Sequence, residues 1–305
     1  MLVPVMLIVG IVVFMLVHLT PGDPAAVILG QSATGEQIEQ LRNELGLNEP
    51  LLIQFVDWFG NALRLDFGES LFLGMPVTEA LLERAQPTLL LTTYALLIEI
   101  IIGVPAGVIA AIKRNSIIDR WLMIMSIAGA AIPTFFLGIV LILIFAVRLK
   151  WVPSGGYVPI QEDPVQHFKV MILPAFTLGF SAAGLLARLV RSSMLDVLRD
   201  DYIRTAMAKG LQFRNVVTGH ALRNALIPAV TVIGYSLGAL LGGAVVTETV
   251  FNIPGMGRLV VQSISRRDYP LIQGAIMIIA GIYVLVNLLV DVLYVYIDPR
   301  IRYGS

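Results

Sequence analysis

Two carboxylates stand where charge is costly. Glu99 lies near the middle of an apolar run that begins at Thr88, and Asp291 lies late in another that begins at Leu271, with Asn287 one turn before it. A charged Asp, Lys or Arg at the centre of a hydrocarbon layer costs upward of about 2.5 to 3.5 kcal/mol, which makes such groups functional candidates by default. Glu99 admits two readings: a cavity-lining group that meets the cationic or amino end of a solute, or a carboxyl protonated or hydrogen-bonded between helices. Asp291 reads as structural, holding Asn287 or an arginine near the membrane edge. The remaining reactive types form no catalytic set. His18, His167 and His220 lack metal-ligand spacing, no compact group of carboxylate and imidazole suggests hydrolysis, and the chain has no cysteine. A phosphate-binding loop closes on Gly-Lys, a dipeptide absent here. The expectation is a chain without catalytic residues, metal site or cofactor of its own, and not an enzyme.

The elements that carry these groups belong to a membrane protein. A hydrophobic share of 57% with 14% charge, and a mean hydropathy of +0.84, do not describe a water-soluble globule of 305 residues. Apolar runs of the roughly 20 residues needed to cross a bilayer begin near Met1, Thr88, Trp121, Val170, Ile227 and Leu271. The fold expected is an all-α polytopic membrane protein with six transmembrane helices. The run from Met1 to Leu19 is followed by HLTPGDP rather than a small-residue cleavage site, so it reads as a retained helix. Formal net charge is zero, so no global field recruits nucleic acid.

Basic residues orient the spans. Lys113, Arg114 and Arg120 lie between spans two and three; Arg191, Arg199, Arg204, Lys209, Arg214 and Arg223 lie between four and five, with Arg188 at the membrane edge; the tail adds Arg300 and Arg302. These faces, and both termini, are expected in the cytoplasm. On the opposite side, Arg42, Arg64 and Arg84 are outnumbered by acids from Asp23 to Glu83, and the Arg266-Arg267 pair is a local exception. The outer segment, residues 20–87, has turn formers at PGDP, helical periodicity from Glu36 to Leu45, and the aromatics Phe55, Trp58 and Phe59, which predicts a small helical cap. Trp58 suits an interfacial anchor.

Small residues mark close packing. Gly103 and Gly107 flank Pro105 in span two, and Gly234, Gly238 and Gly242 run along span five with Gly243 beside them. A spacing of four places each set on one helical face. Bundle packing explains the first set; the second runs most of its helix toward Thr247, Glu248 and Thr249 and suits a dimer interface or a pathway. With Glu99, the residues Tyr235, Ser236, Thr247 and Glu248 are the candidate substrate pathway.

Between spans four and five, residues 191–226 form a basic loop. Asp200 and Asp201 offer an N-cap and negative charge at a helix start, Tyr202 to Lys209 are good helix formers, and Gly210 suits the C-terminal turn. A second helical stretch runs from Phe213 to Leu226, and Pro228 begins span five, where its missing amide donor is tolerated. A short helix small at Ala206 and Ala208 and basic at Arg204 and Lys209 can insert into a cleft on a partner.

This loop resembles the coupling loop of binding-protein-dependent ABC importer permeases, in the variant of the dipeptide, oligopeptide and nickel branch. The general motif begins Glu-Ala-Ala, reaches a glycine and closes on an apolar-Leu-Pro element. Here Arg204, Thr205 and Ala206 fill the first three positions, Gly210 the glycine, and Leu226, Ile227 and Pro228 the close. Arg204 in place of glutamate, and a longer interval from Gly210 to Pro228, depart from the general pattern and match the branch. HLTPGDPA, LKWVPSGGY, ARLVRSSMLDVL, TETVFNIPGMGRLVVQSISRRDYPLIQG and NLLVDVLYVYIDPRIR are similar to the same branch, so the resemblance covers nearly the whole chain.

The resemblance implies one type I importer transmembrane domain over residues 1–305, with the outer insertion after helix one. It implies a cargo of di- or oligopeptides, or nickel and other small chelates. Implied partners are a second permease, two ATPase subunits that bind ATP and Mg, an extracytoplasmic substrate-binding protein and membrane lipid, in a bacterial or archaeal cytoplasmic membrane. Coupling would fall to Asp201, Tyr202, Arg204, Thr205, Ala206, Lys209 and Gly210. A gradient-driven secondary transporter using Glu99 or Asp291 as its ion site is the alternative from another class; it does not account for the coupling-type loop.

Overall fold

The computed structural model describes residues 2–19, 24–29, 34–44 and 46–297. Regular structure among them is helical, with one isolated bridge between Glu69 and Pro76. A chain so apolar has little choice: in lipid the backbone must satisfy its own hydrogen bonds, and a helix does this within one segment. The order is α1 (Leu2–Leu19), α2 (Pro24–Leu29), α3 (Gly35–Glu44), α4 (Leu51–Leu63), α5 (Val77–Ile112), α6 (Ile117–Ala131), α7 (Thr134–Leu141), α8 (Pro164–Val197), α9 (Asp201–Ala208), α10 (Phe213–Val216), α11 (Leu222–Ala225), α12 (Ile227–Val250), α13 (Met256–Arg266) and α14 (Tyr269–Ile297).

Four helices among the described residues, α5, α8, α12 and α14, are long and apolar enough to cross a bilayer. The third expected span differs. It is broken into α6 and α7, the latter continuing through a wide π-helical stretch from Ile142 to Arg148, and the halves meet at 107°. Pro133 causes the break: it offers no N–H, and its ring drives Ile132 out of the helical region to φ −75°, ψ 124°. Taken as one span, the pair brings the number to five, and the remaining expected span is the 18-residue α1.

Backbone packing divides the chain into two compact units, one of residues 1–86 with 258–285, the other of 87–257 with 286–305. In the first, α2, α3 and α4 supply the helical content expected of the outer segment. Phe14 of α1 meets Phe55 and Trp58 of α4, with ring centroids 5.5 and 5.8 Å apart. Trp58 is thus half-buried against α1, and the Phe59 ring covers Gly10, where a Cβ would clash. Asp268 is buried and accepts from Ser70 Oγ at 2.5 Å, Phe72 N at 3.1 Å and Leu271 N at 3.2 Å, while the Arg266 guanidinium lies 3.2 Å above the Phe72 ring centroid. That clasp fixes the turn before α5 to the turn before α14. PGDP, Arg300 and Arg302 include positions outside the described residues, as is the side chain of Asp291.

In the second unit α8 is central: 67% of its apolar window is buried, against 33% or less in the other three spans. It packs against α6, α7 and α12 around Leu91, Met171, Leu178, Leu240 and Phe251. Its start is fixed by Asp163, which accepts from Gln166 N at 3.0 Å, with Pro164 in the first turn.

Candidate functional site

The basic loop folds as a short helix on an apolar footing. Asp200 takes the N-cap position with extended backbone, and its carbonyl accepts from Ile203 N and Arg204 N at 3.1 and 3.3 Å; its side chain makes no capping bond. At the other end Gly210 N reaches the Met207 carbonyl at 3.0 Å with φ +82°, a conformation glycine adopts without strain. Ile203, 1% exposed, anchors α9 in a cluster with Leu186, Val190 and Met194 of α8 and with Val216, Val217 and Ala221.

The second helical stretch expected from Phe213 to Leu226 is helical over Phe213–Ala225, as α10, a π-helical stretch from Val217 to Ala221, and α11. The widened turn lets Val216, Val217, Ala221 and Ala225 all face this core.

What α9 turns outward is the set expected to couple. Asp201, Tyr202, Arg204, Thr205, Lys209 and Gly210 are exposed and Ala206 is half-buried. Asn224 Nδ2 donates to Tyr202 Oη at 2.7 Å, tying α9 to α11, and Thr205 Oγ1 donates to the Asp201 carbonyl at 2.9 Å. The Arg204–Asp201 ion pair, 3.4 Å apart and well exposed, contributes little to stability. The helix therefore has a fixed base and a free polar and apolar outer face, including Met207.

The structure brings Glu99, Tyr235 and Ser236 together at a cavity of about 500 Å³ between α5, α7, α8 and α12, lined also by Thr134, Leu178 and Ser181. Glu99 is 1% exposed. Ser236 Oγ lies 2.8 Å from Glu99 Oε2 and 2.9 Å from the Ile233 carbonyl. One hydroxyl hydrogen serves one of these acceptors, so the site accommodates both states of the carboxyl: ionised, it accepts from serine; protonated, it donates to serine, which turns to Ile233.

Thr247 and Glu248, expected on the same pathway, do not line this cavity. Both are buried; Glu248 Oε1 accepts from Thr88 Oγ1 at 2.5 Å, and Thr88 Oγ1 in turn accepts from Met256 N at 2.8 Å. The carboxylate of Glu248 fills the space where a Cβ on Gly255 would stand, while a Cβ on Gly257 would run into Val245 of α12.

The small residues divide as well. A Cβ on Gly103 would touch Leu186 and the Ala183 carbonyl, and one on Gly107 would run into the Ala187 carbonyl and Val190, so α5 lies directly against α8. Gly234 faces Val290 closely and Gly238 is half-buried, but Gly242 is exposed with nothing within 4 Å of its missing Cβ, while Gly243 meets Leu178.

Two arrangements were not visible from spacing. Arg191 of α8 binds Asp119 of α6 through two bonds, Nε to Oδ1 at 2.7 Å and Nη2 to Oδ2 at 2.8 Å, and Asp119 also accepts from Asn115 N at 2.9 Å. His167, fully buried, lies 2.6 Å from the Val158 carbonyl through Nδ1, which donates to it, and 3.1 Å from Tyr94 Oη through Nε2. Beside it the Tyr157 hydroxyl is buried without a hydrogen-bond partner among the described residues, and burial raises its pKa.

Residues 103–303 match the family model described as binding-protein-dependent transport system inner membrane component, and residues 1–88 match the model of the N-terminal part of such components. The chain is similar to a probable peptide ABC transporter permease protein of Sinorhizobium fredii, 48% identical over 99% of this chain and 96% of the relative. It is 46% identical to the glutathione transport system permease protein GsiC of Escherichia coli, again over 99% and 96%, and 44% identical over the same shares to a putative peptide transport system permease protein of Brucella abortus. Among solved structures it is similar to a chain of the inward-facing MetNI methionine ABC transporter, with TM-score 0.59 and 19% identity over 72% of this chain and 96% of that one.

Proposed function

The chain belongs to the family of binding-protein-dependent transport system inner membrane components, and from that membership we propose that it is the permease subunit through which an ATP-driven importer carries short peptides across the cytoplasmic membrane. It is a multi-pass membrane subunit; nucleotide hydrolysis belongs to separate ATPase subunits, and an extracytoplasmic binding protein delivers cargo. Peptide cargo is supported by relatives named for peptide and glutathione transport at 44 to 48% identity. In this reading residues 1–305 are one type I importer domain of six spans with cytoplasmic termini. The first span is α1, and α6 with α7 is the third. Residues 20–87 are the outer insertion facing the binding protein, residues 191–226 are the coupling loop, and a second permease completes the pathway.

The observation that carries the mechanism is α9: a short helix with a buried base at Ile203 and exposed Tyr202, Arg204, Thr205 and Lys209. Its outer face docks into an ATPase subunit. Because Ile203 is packed on α8 and on the segment leading to α12, closure of the ATPase pair moves α9 and those helices as a body. The two permeases then open outward and receive cargo from the binding protein; hydrolysis resets the inward state.

Ala206→Pro removes a backbone donor from the middle of α9 and breaks it. Expected in proteoliposomes holding the whole assembly is loss of ATP-dependent peptide uptake with normal membrane insertion. Full uptake by this variant overturns the docking role.

A further inference from the structure

We propose that Glu99 reads the free amino terminus of the cargo, so that this membrane subunit itself selects for an ammonium group. The inference rests on the import reading above and adds to it a site and a ligand chemistry. Among the described residues Glu99 is the one acid lining the cavity, and no lysine, arginine or histidine lines it. Its hydrogen-bond partner is the Ser236 hydroxyl. A carboxylate that is 1% exposed and faces no cation is costly to keep ionised, and a ligand cation is what repays that cost.

The cavity walls are otherwise apolar residues and hydroxyls, including Leu178, Leu240 and Thr134. Such a lining tolerates varied side chains, while one fixed acidic group selects a feature that every unblocked peptide shares, as binding pockets do with a few placed polar groups in an apolar setting. Ammonium and carboxylate attract far more strongly here than in water. The Ser236 hydroxyl fits the role because it stays bonded whether Glu99 is ionised or not.

The test uses the complete assembly in proteoliposomes: this chain, its partner permease, the ATPase subunits and the binding protein. The probe is a mixture of unblocked di- and tripeptides, with uptake read by mass spectrometry beside ATP hydrolysis stimulated by the loaded binding protein. Glu99→Gln keeps an acceptor for Ser236 at the same place and removes only the charge, so a carboxyl that merely joins helices predicts no change. The expected result is uptake reduced about tenfold, the loss of one charge-assisted hydrogen bond, with stimulated hydrolysis within about twofold of wild type. Glu99→Asp, which keeps the charge, remains above Glu99→Gln. Wild-type uptake in Glu99→Gln, equal loss of uptake and hydrolysis, or Glu99→Asp falling below Glu99→Gln each overturns the inference while leaving the import reading intact. Absence of ATP-dependent uptake by the wild-type assembly overturns the import reading, and the inference with it.

Discussion

At Asp119 a single carboxylate holds α6 to α8 and also closes the turn at Asn115. The pair is bidentate and largely shielded, with 5% of Asp119 and 25% of Arg191 exposed, so removing one partner leaves the other charged and poorly solvated. Asp119→Asn is expected to lower stability by about 2 kcal/mol, seen as a lower unfolding midpoint in detergent. Asp119→Asn combined with Arg191→Gln is expected to cost less than the sum of the two single changes. From sequence, Arg191 registers only as one more basic residue on the cytoplasmic side, because 72 positions separate it from its partner and no local spacing reveals the pair. Glu99 was legible for the opposite reason: one acid inside an apolar run needs no partner to stand out. Its convergence with Tyr235 and Ser236 was legible only as a list, and the separation of Thr247 and Glu248 from that group required the fold.

Helices give the same lesson about proline. α5 runs unbroken through Pro87 and Pro105, and α8 through Pro174, yet at Pro133 the chain turns by 107°. A proline inside an apolar run thus permits a break without dictating one, and a span located by its apolar length says nothing of its straightness. The Asp268 clasp makes a testable case at this scale. Asp268→Ala leaves the Ser70 hydroxyl and the Phe72 amide without their acceptor, and residues 66–76 are expected to be cut markedly faster in limited proteolysis while α5 stays protected. The close approach of α5 to α8 predicts a contrast between glycines. Gly107→Ala is expected to destabilise by about 1 to 3 kcal/mol through overpacking, whereas Gly242→Ala, with open space around it, leaves the unfolding midpoint of the isolated chain unchanged.

For the whole molecule, function was more legible than architecture. The basic loop before α12, the segment after it and the tail are similar to one family in one order, a pattern that does not depend on how many helices cross the bilayer. Neither the division into two compact units nor the π-helical turns left a sign in hydrophobic periodicity. In the assembly proposed above, the exposed Gly242 is expected to face the second permease. Gly242→Leu is then expected to reduce co-purification of that partner in mild detergent without changing insertion or folding of this chain; unchanged recovery would assign Gly242 to lipid or to the pathway instead.

The packing of Glu248 against Gly255 also constrains how the gene can change. While the carboxylate occupies that space Gly255 cannot gain a methyl group, but once Glu248 is replaced by a small residue the space opens; Gly257 stays closed by the Val245 backbone. The order of mutation therefore matters: a lineage that first shortens position 248 gains access to alanine at 255, and one that starts with that glycine meets a clash. Across diverging relatives, positions 248 and 255 are expected to vary together or not at all, and position 257 to stay glycine.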